Sequence, residues 1–130
     1  MPDLKSIVRD LADSLAAIFE ATPKGGFTIE VPLAGERYQS VSLHPKGKDI
    51  EIVTSVTELG PADRSTIERL EKRARRARIA FEDTNGAHSA RVTALVPAAD
   101  ATWSSLEPVV LEVAKLGDSI ESELTGGDVD

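Results

Sequence analysis

Apolar residues recur at helical spacing over residues 3–20. Leu4, Ile7, Val8, Leu11, Leu15, Ile18 and Phe19 share one face, and Lys5, Arg9, Asp13 and Ala16 lie opposite. Pro23 and Gly25-Gly26 then break the pattern. The period changes to two at Phe27, Ile29 and Val31, which alternate with Thr28 and Glu30 and predict a strand. A turn over residues 32–36 contains Gly35, and a second strand follows over residues 38–43, with Val41 and Leu43 alternating with Ser40 and Ser42. After a turn at residues 45–48, residues 49–56 predict a third strand. Ile50, Ile52 and Val56 face one way and Val53 the other, as in a strand covered on both faces.

Gly60-Pro61 restarts the chain, because proline is tolerated in a first helical turn. Ile67, Leu70, Ala74 and Ala77 form a narrow helical stripe. Ile79 and Phe81 open a strand, Asn85-Gly86 signals a hairpin, and Val92, Ala94 and Val96 line the return strand, with Leu95 on its other face. Pro97 stops that strand. Trp103, Leu106, Val110, Val113, Gly117 and Ile120 mark a last helix, expected to begin at Ser104 or Ser105 so that Pro108 falls near its first turn. The predicted order is α-β-β-β-α-β-β-α. It implies an α+β two-layer domain in which helices flank a five-stranded antiparallel sheet. One domain over residues 1–125 and a flexible acidic tail over residues 126–130 are expected.

Composition narrows the function classes. Hydrophobic residues make up 41% of the 130 residues, enough for a packed core, and with 4% aromatics that core must be aliphatic. The formal net charge of −7 opposes general binding to nucleic acid or to anionic membranes. No cysteine is present, so neither a disulfide framework nor thiolate chemistry is available. The charged N-terminal residues and the lack of a long apolar run lead us to expect a cytoplasmic protein with no membrane association.

The second half of the chain carries a resemblance to a known group. It runs from Thr57-Glu58-Leu59-Gly60 through the helix to Arg78-Ile79-Ala80-Phe81-Glu82-Asp83, then Arg91-Val92-Thr93-Ala94-Leu95-Val96-Pro97, and closes on Ala114-Lys115-Leu116-Gly117-Asp118-Ser119-Ile120. This succession resembles the type III secretion chaperone-like family, including its bacterial YbjN-like group. The resemblance implies a small dimeric protein without catalytic residues that binds an extended segment of a client protein. It assigns no individual binding residue.

Candidate chemistry is sparse. The two histidines, His44 and His88, lie far apart in sequence and sit beside predicted turns, too few for a zinc ligand set. Lys24-Gly25-Gly26 lacks the spacing of a phosphate loop, and no Gly-x-Ser-x-Gly elbow is present. We therefore expect no enzyme activity, no metal and no cofactor. The basic stretch over residues 63–78 has two readings. Arg69, Lys72 and Arg76 point away from the apolar stripe and form either a solvated face, supported by Glu68/Lys72 and Glu71/Arg75 pairs, or an electrostatic docking patch. Two helices cannot fully cover both faces of the sheet. Val41, Leu43 and Val53 are thus the expected contacts for an extended client segment, and a homodimer would bury the thin stripe of the second helix. A regulatory or structural adaptor that binds a folded partner is the alternative.

Overall fold

The computed structural model describes residues 4–22, 25–59, 64–84 and 87–124. Helix α1 spans Leu4–Leu15, and strands β1 to β4 span Ile18–Ala21, Phe27–Leu33, Arg37–Lys46 and Asp49–Leu59. Helix α2 spans Arg64–Glu71, strands β5 and β6 span Arg78–Thr84 and Ala87–Pro97, and helix α3 spans Trp103–Leu124. All strand pairs are antiparallel, and the six strands lie in the order β1-β2-β3-β4-β6-β5. The expected α+β class is therefore observed, but the sheet has six strands rather than five and the element order gains a strand.

The additional strand, β1, lies where the hydrophobic spacing predicted the end of the first helix. That helix stops at Leu15 because Ala16 adopts a left-handed backbone conformation, φ 57°. The Ala17 N–H donates to the Ala12 carbonyl at 2.8 Å and the Ala16 N–H to the Asp13 carbonyl at 3.3 Å. This pair of bonds satisfies carbonyls that the ending helix would leave open. Ile18 and Phe19 then become strand residues: Phe19 pairs with Ile29, and its ring lies 6.2 Å from that of Phe27.

Helix α2 is also shorter than predicted. Ala74 and Ala77 fall beyond its end at Glu71, although Ala77 is fully buried. The reason lies outside the segment. Glu112 on α3 accepts the backbone N–H groups of Arg75, Arg76 and Ala77 through one carboxylate oxygen, each at 2.9 Å. Glu71 accepts the Ile79 N–H at 2.7 Å. Amides committed to these carboxylates cannot propagate a helix. Helix α3 begins at Trp103, slightly earlier than expected, because Thr102 and Ser105 cap it reciprocally: the Ser105 N–H donates to Thr102 Oγ1 at 3.1 Å and the Thr102 N–H to Ser105 Oγ at 2.9 Å. Pro108 consequently lies inside the helix. Thr84 pairs with Ala87, the spacing a two-residue hairpin requires; Asn85 and Gly86, like the predicted tail at residues 126–130, lie outside the described residues.

The helices share one face of the sheet. Ile7, Val8 and Leu11 of α1, Ile67 and Leu70 of α2, and Leu106, Val110, Val113 and Ile120 of α3 form one core with alternate residues of the strands. Helix α3 lies close on β4, because a Cβ at Gly117 would sit 2.6 Å from Thr54 Cγ2 and 3.1 Å from Gln39 Nε2. No helix among the described residues is long and apolar enough to cross a membrane.

Candidate functional site: the uncovered sheet face

Strand alternation divides the predicted contact residues between the two faces. Val41 and Leu43 point under the helices with Ile29, Ile52 and Val92, and both are completely buried. The expectation that they line an open face is corrected: their face is the one the helices cover. Val53 lies on the opposite face and stands outside the main core, yet it is only 6% exposed. Its cover comes from its neighbours in the sheet.

The strand registers define a transverse row on that face. Glu20, Thr28, Ser42, Val53, Thr93 and Arg78 follow one another from β1 to β5. The row is acidic at one edge, basic at the other, and rich in hydroxyls between. The Thr28 and Ser42 hydroxyls lie 3.4 Å apart. Above the middle of the sheet runs a groove of about 580 Å³, lined among others by Thr22, Ser42, His44, Val53, Ser55 and Arg91. One end of it is shaped by the β1–β2 turn. There the Thr22 N–H donates to the Gly26 carbonyl at 2.8 Å and the Gly26 N–H to Thr22 Oγ1 at 3.1 Å. A Cβ on Gly26 would lie 2.7 Å from His44 Cβ and 2.9 Å from the Leu43 carbonyl oxygen, so only glycine lets the turn approach β3 this closely. The sequence reading of Gly25-Gly26 as a turn agrees with this geometry.

A charged network flanks the groove. Glu51, 7% exposed, lies 2.6 Å from His44 Nε2, accepts a bond from Lys46 Nζ at 3.3 Å, and sits 3.9 Å from Arg91. Arg91 also lies 3.9 Å from Glu82 on β5. Burial alone would raise the Glu51 carboxyl. The hydrogen bonds and charges of His44 and Lys46 outweigh it and hold the group below its ordinary value. His44 and Glu51 have the geometry of a base and its orienting carboxylate, but among the described residues no hydroxyl is hydrogen-bonded to the His44 ring. Among the described residues, too, no three His, Asp or Glu side chains converge as a metal site.

A second opening separates β3 from β4. Their ladder ends at Ser42 and Val53, although both strands continue. Beyond that point the Thr54 hydroxyl donates to the Ser40 carbonyl at 2.7 Å, and Gln39 Nε2 donates to Thr54 Oγ1 at 2.8 Å. Side chains thus replace the missing backbone pairing, and the buried polar groups stay satisfied. A cleft of about 410 Å³ opens here between Tyr38, Gln39, Thr54 and Glu121. Burial and the neighbouring Asp118 charge raise the Glu121 carboxyl, while Asp118 itself is bonded to Arg37 at 2.8 Å.

The basic residues predicted for docking lie elsewhere. Arg69 is in α2, whereas Lys72 and Arg76 are in the irregular segment after it; all three are exposed. They occupy the helical side of the molecule, away from the groove. Sequence reasoning missed His44, Glu51, Ser55 and Arg91. Their alternation along three strands was visible, but the pairing that assembles them was not.

Comparison with known proteins gives a fold and no more. No protein-family profile and no curated protein sequence matches the chain. Among solved structures, the chain is similar to YbjN from E. coli, described as a proposed transcription regulator, with a TM-score of 0.66 at 10% sequence identity over 96% of this chain and 93% of that one. The chain has a YbjN-like fold.

Proposed function

We propose that this protein is a non-catalytic, chaperone-like binding module that holds an extended segment of a client protein on the uncovered face of its sheet. One observation carries the reading: the helices all pack on one face, and the other face presents an open groove across β3, β4 and β6. Serine and threonine hydroxyls along the transverse row can exchange hydrogen bonds with a peptide backbone, and Val53 supplies an apolar floor for alternate side chains. The non-catalytic part rests on His44, which pairs with Glu51 and, among the described residues, is bonded to no nucleophile. The resemblance to secretion chaperones supports a homodimer as part of the same proposal, as does the 69% exposure of Ile18 on the short edge strand β1.

A photo-cross-linking amino acid placed at Ser55, with the same group at Ser104 on α3 as control, tests the site in the native cell. A client cross-linked at Ser55 through a segment that is unstructured when free is the expected result. Capture only at Ser104 would defeat the proposal, and capture of a folded domain at Ser55 would favour the adaptor function. Light scattering at twice the 13.9 kDa chain mass is expected for the dimer, and a single-chain mass at all concentrations would remove it.

A further inference from the structure

The helical side of the molecule carries a second surface, independent of the sheet groove. Five of the fifteen Lys and Arg residues fall between positions 69 and 76, in a chain whose net charge is −7. Such concentration builds a local positive field against an acidic background. Glu112 pins this segment to α3 through three backbone amides. Between the segment and α3 lies a groove of about 250 Å³, lined by Leu70, Ala74 and Leu116 and by Arg73, Lys115 and Glu112.

Two cations line this groove without an ion-pair partner among the described residues. Glu112 is the carboxylate that lines it, and its Oε2 is engaged by the amides of Arg75, Arg76 and Ala77. Among the described residues, neither Arg73 nor Lys115 is in an ion pair, and Lys72, Arg75 and Arg76 are exposed on the adjoining turn. The site therefore offers an apolar slot with a cationic rim. It contains no aromatic side chain on which a nucleic-acid base could stack. We propose that this groove docks an acidic segment of a partner protein. One apolar side chain of that segment inserts against Leu70, Ala74 and Leu116, and its carboxylates meet Arg73 and Lys115.

Fluorescence anisotropy with a labelled peptide, in which Glu and Asp residues flank a single Phe, tests this on the intact chain. Saturable binding is expected, weakening with added salt. Arg73→Gln combined with Lys115→Gln is expected to weaken it about ten-fold, the equivalent of about 1.4 kcal/mol, with an unchanged thermal melt. Replacing the Phe of the peptide by Gly should weaken binding without altering the protein at all. Equal binding of the Gly peptide, of a Lys-substituted peptide, or of the double variant would overturn the proposal, as would tighter binding of a labelled DNA duplex. Ser55→Arg, which obstructs the sheet groove, should leave this binding unchanged. A loss there would place the peptide on the sheet face and refute the α2–α3 groove as its site, whereas failure of the Ser55 cross-link would leave the α2–α3 groove standing.

Discussion

Glu112 reaches from α3 to the backbone of Ala77 and accepts its N–H at 2.9 Å, and the same oxygen accepts those of Arg75 and Arg76. This contact holds residues 75–77 out of helical pairing and turns the chain toward β5. Burial raises the Glu112 carboxyl, but the three amides and the Arg75 charge overcome that and leave it below its ordinary value. Glu112→Ala should destabilise the protein by about 1–3 kcal/mol in urea unfolding, because it strands amide donors. Since the folded carboxyl ionises more readily than the unfolded one, its stabilisation is present above the ordinary carboxylate range near about 4.3. It is lost as pH falls through the lower, folded value. Glu112→Gln should lose that portion of the acid dependence while keeping an acceptor, and an unchanged pH profile in this variant would contradict the assignment.

Gly117 is the closest approach of α3 to the sheet. Gly117→Ala gains helix propensity, worth about 1 kcal/mol, but places a methyl group 2.6 Å from Thr54 Cγ2. Overpacking of this kind costs about 1–3 kcal/mol, so net destabilisation is expected. Thr54→Ser removes the obstructing methyl and keeps the hydroxyl bonded to Ser40 and Gln39. The double variant should recover part of the loss, and strict additivity in a mutant cycle would show that the clash is not the cause.

Ala16 ends α1 in a conformation that costs an ordinary residue about 1–2 kcal/mol and that glycine adopts freely. Ala16 is exposed, so nothing packed is lost on truncation. Ala16→Gly should raise the denaturation midpoint by the equivalent of about 1 kcal/mol. A lowered midpoint would mean that residual helix in the unfolded chain dominates.

The face assignment makes a paired prediction. Leu43→Ala should cost about 2–5 kcal/mol as a core truncation, whereas Leu95→Ala, on the uncovered face and 51% exposed, should stay within about 0.5 kcal/mol. Comparable losses at both positions would mean that the faces are misassigned.

Most elements were legible because their cause is local. Period-two alternation marks β2, β3 and β4, and the helical stripe marks α3, because side-chain periodicity follows directly from backbone geometry. Ile18 and Phe19 misled because they continue the helical spacing of α1 by coincidence. The break is a backbone event at Ala16, a residue with no turn signature of its own. The α2 boundary was illegible for a different reason. The carboxylate that captures the amides of Arg75 to Ala77 stands far along the chain, and local helix propensity carries no trace of that competition.

The sequence by itself determined which residues are apolar and which strands alternate. Only tertiary structure decided which alternate face the helices cover. A strand presents two faces of equal standing until a partner packs on one, and here α1, α2 and α3 all chose the face of Val41 and Leu43. That choice buried two of the three expected contacts and left Val53 on the open side. It also brought His44, Glu51 and Arg91, from three different strands, together beside one groove, a juxtaposition set by inter-strand register and by no spacing within the chain.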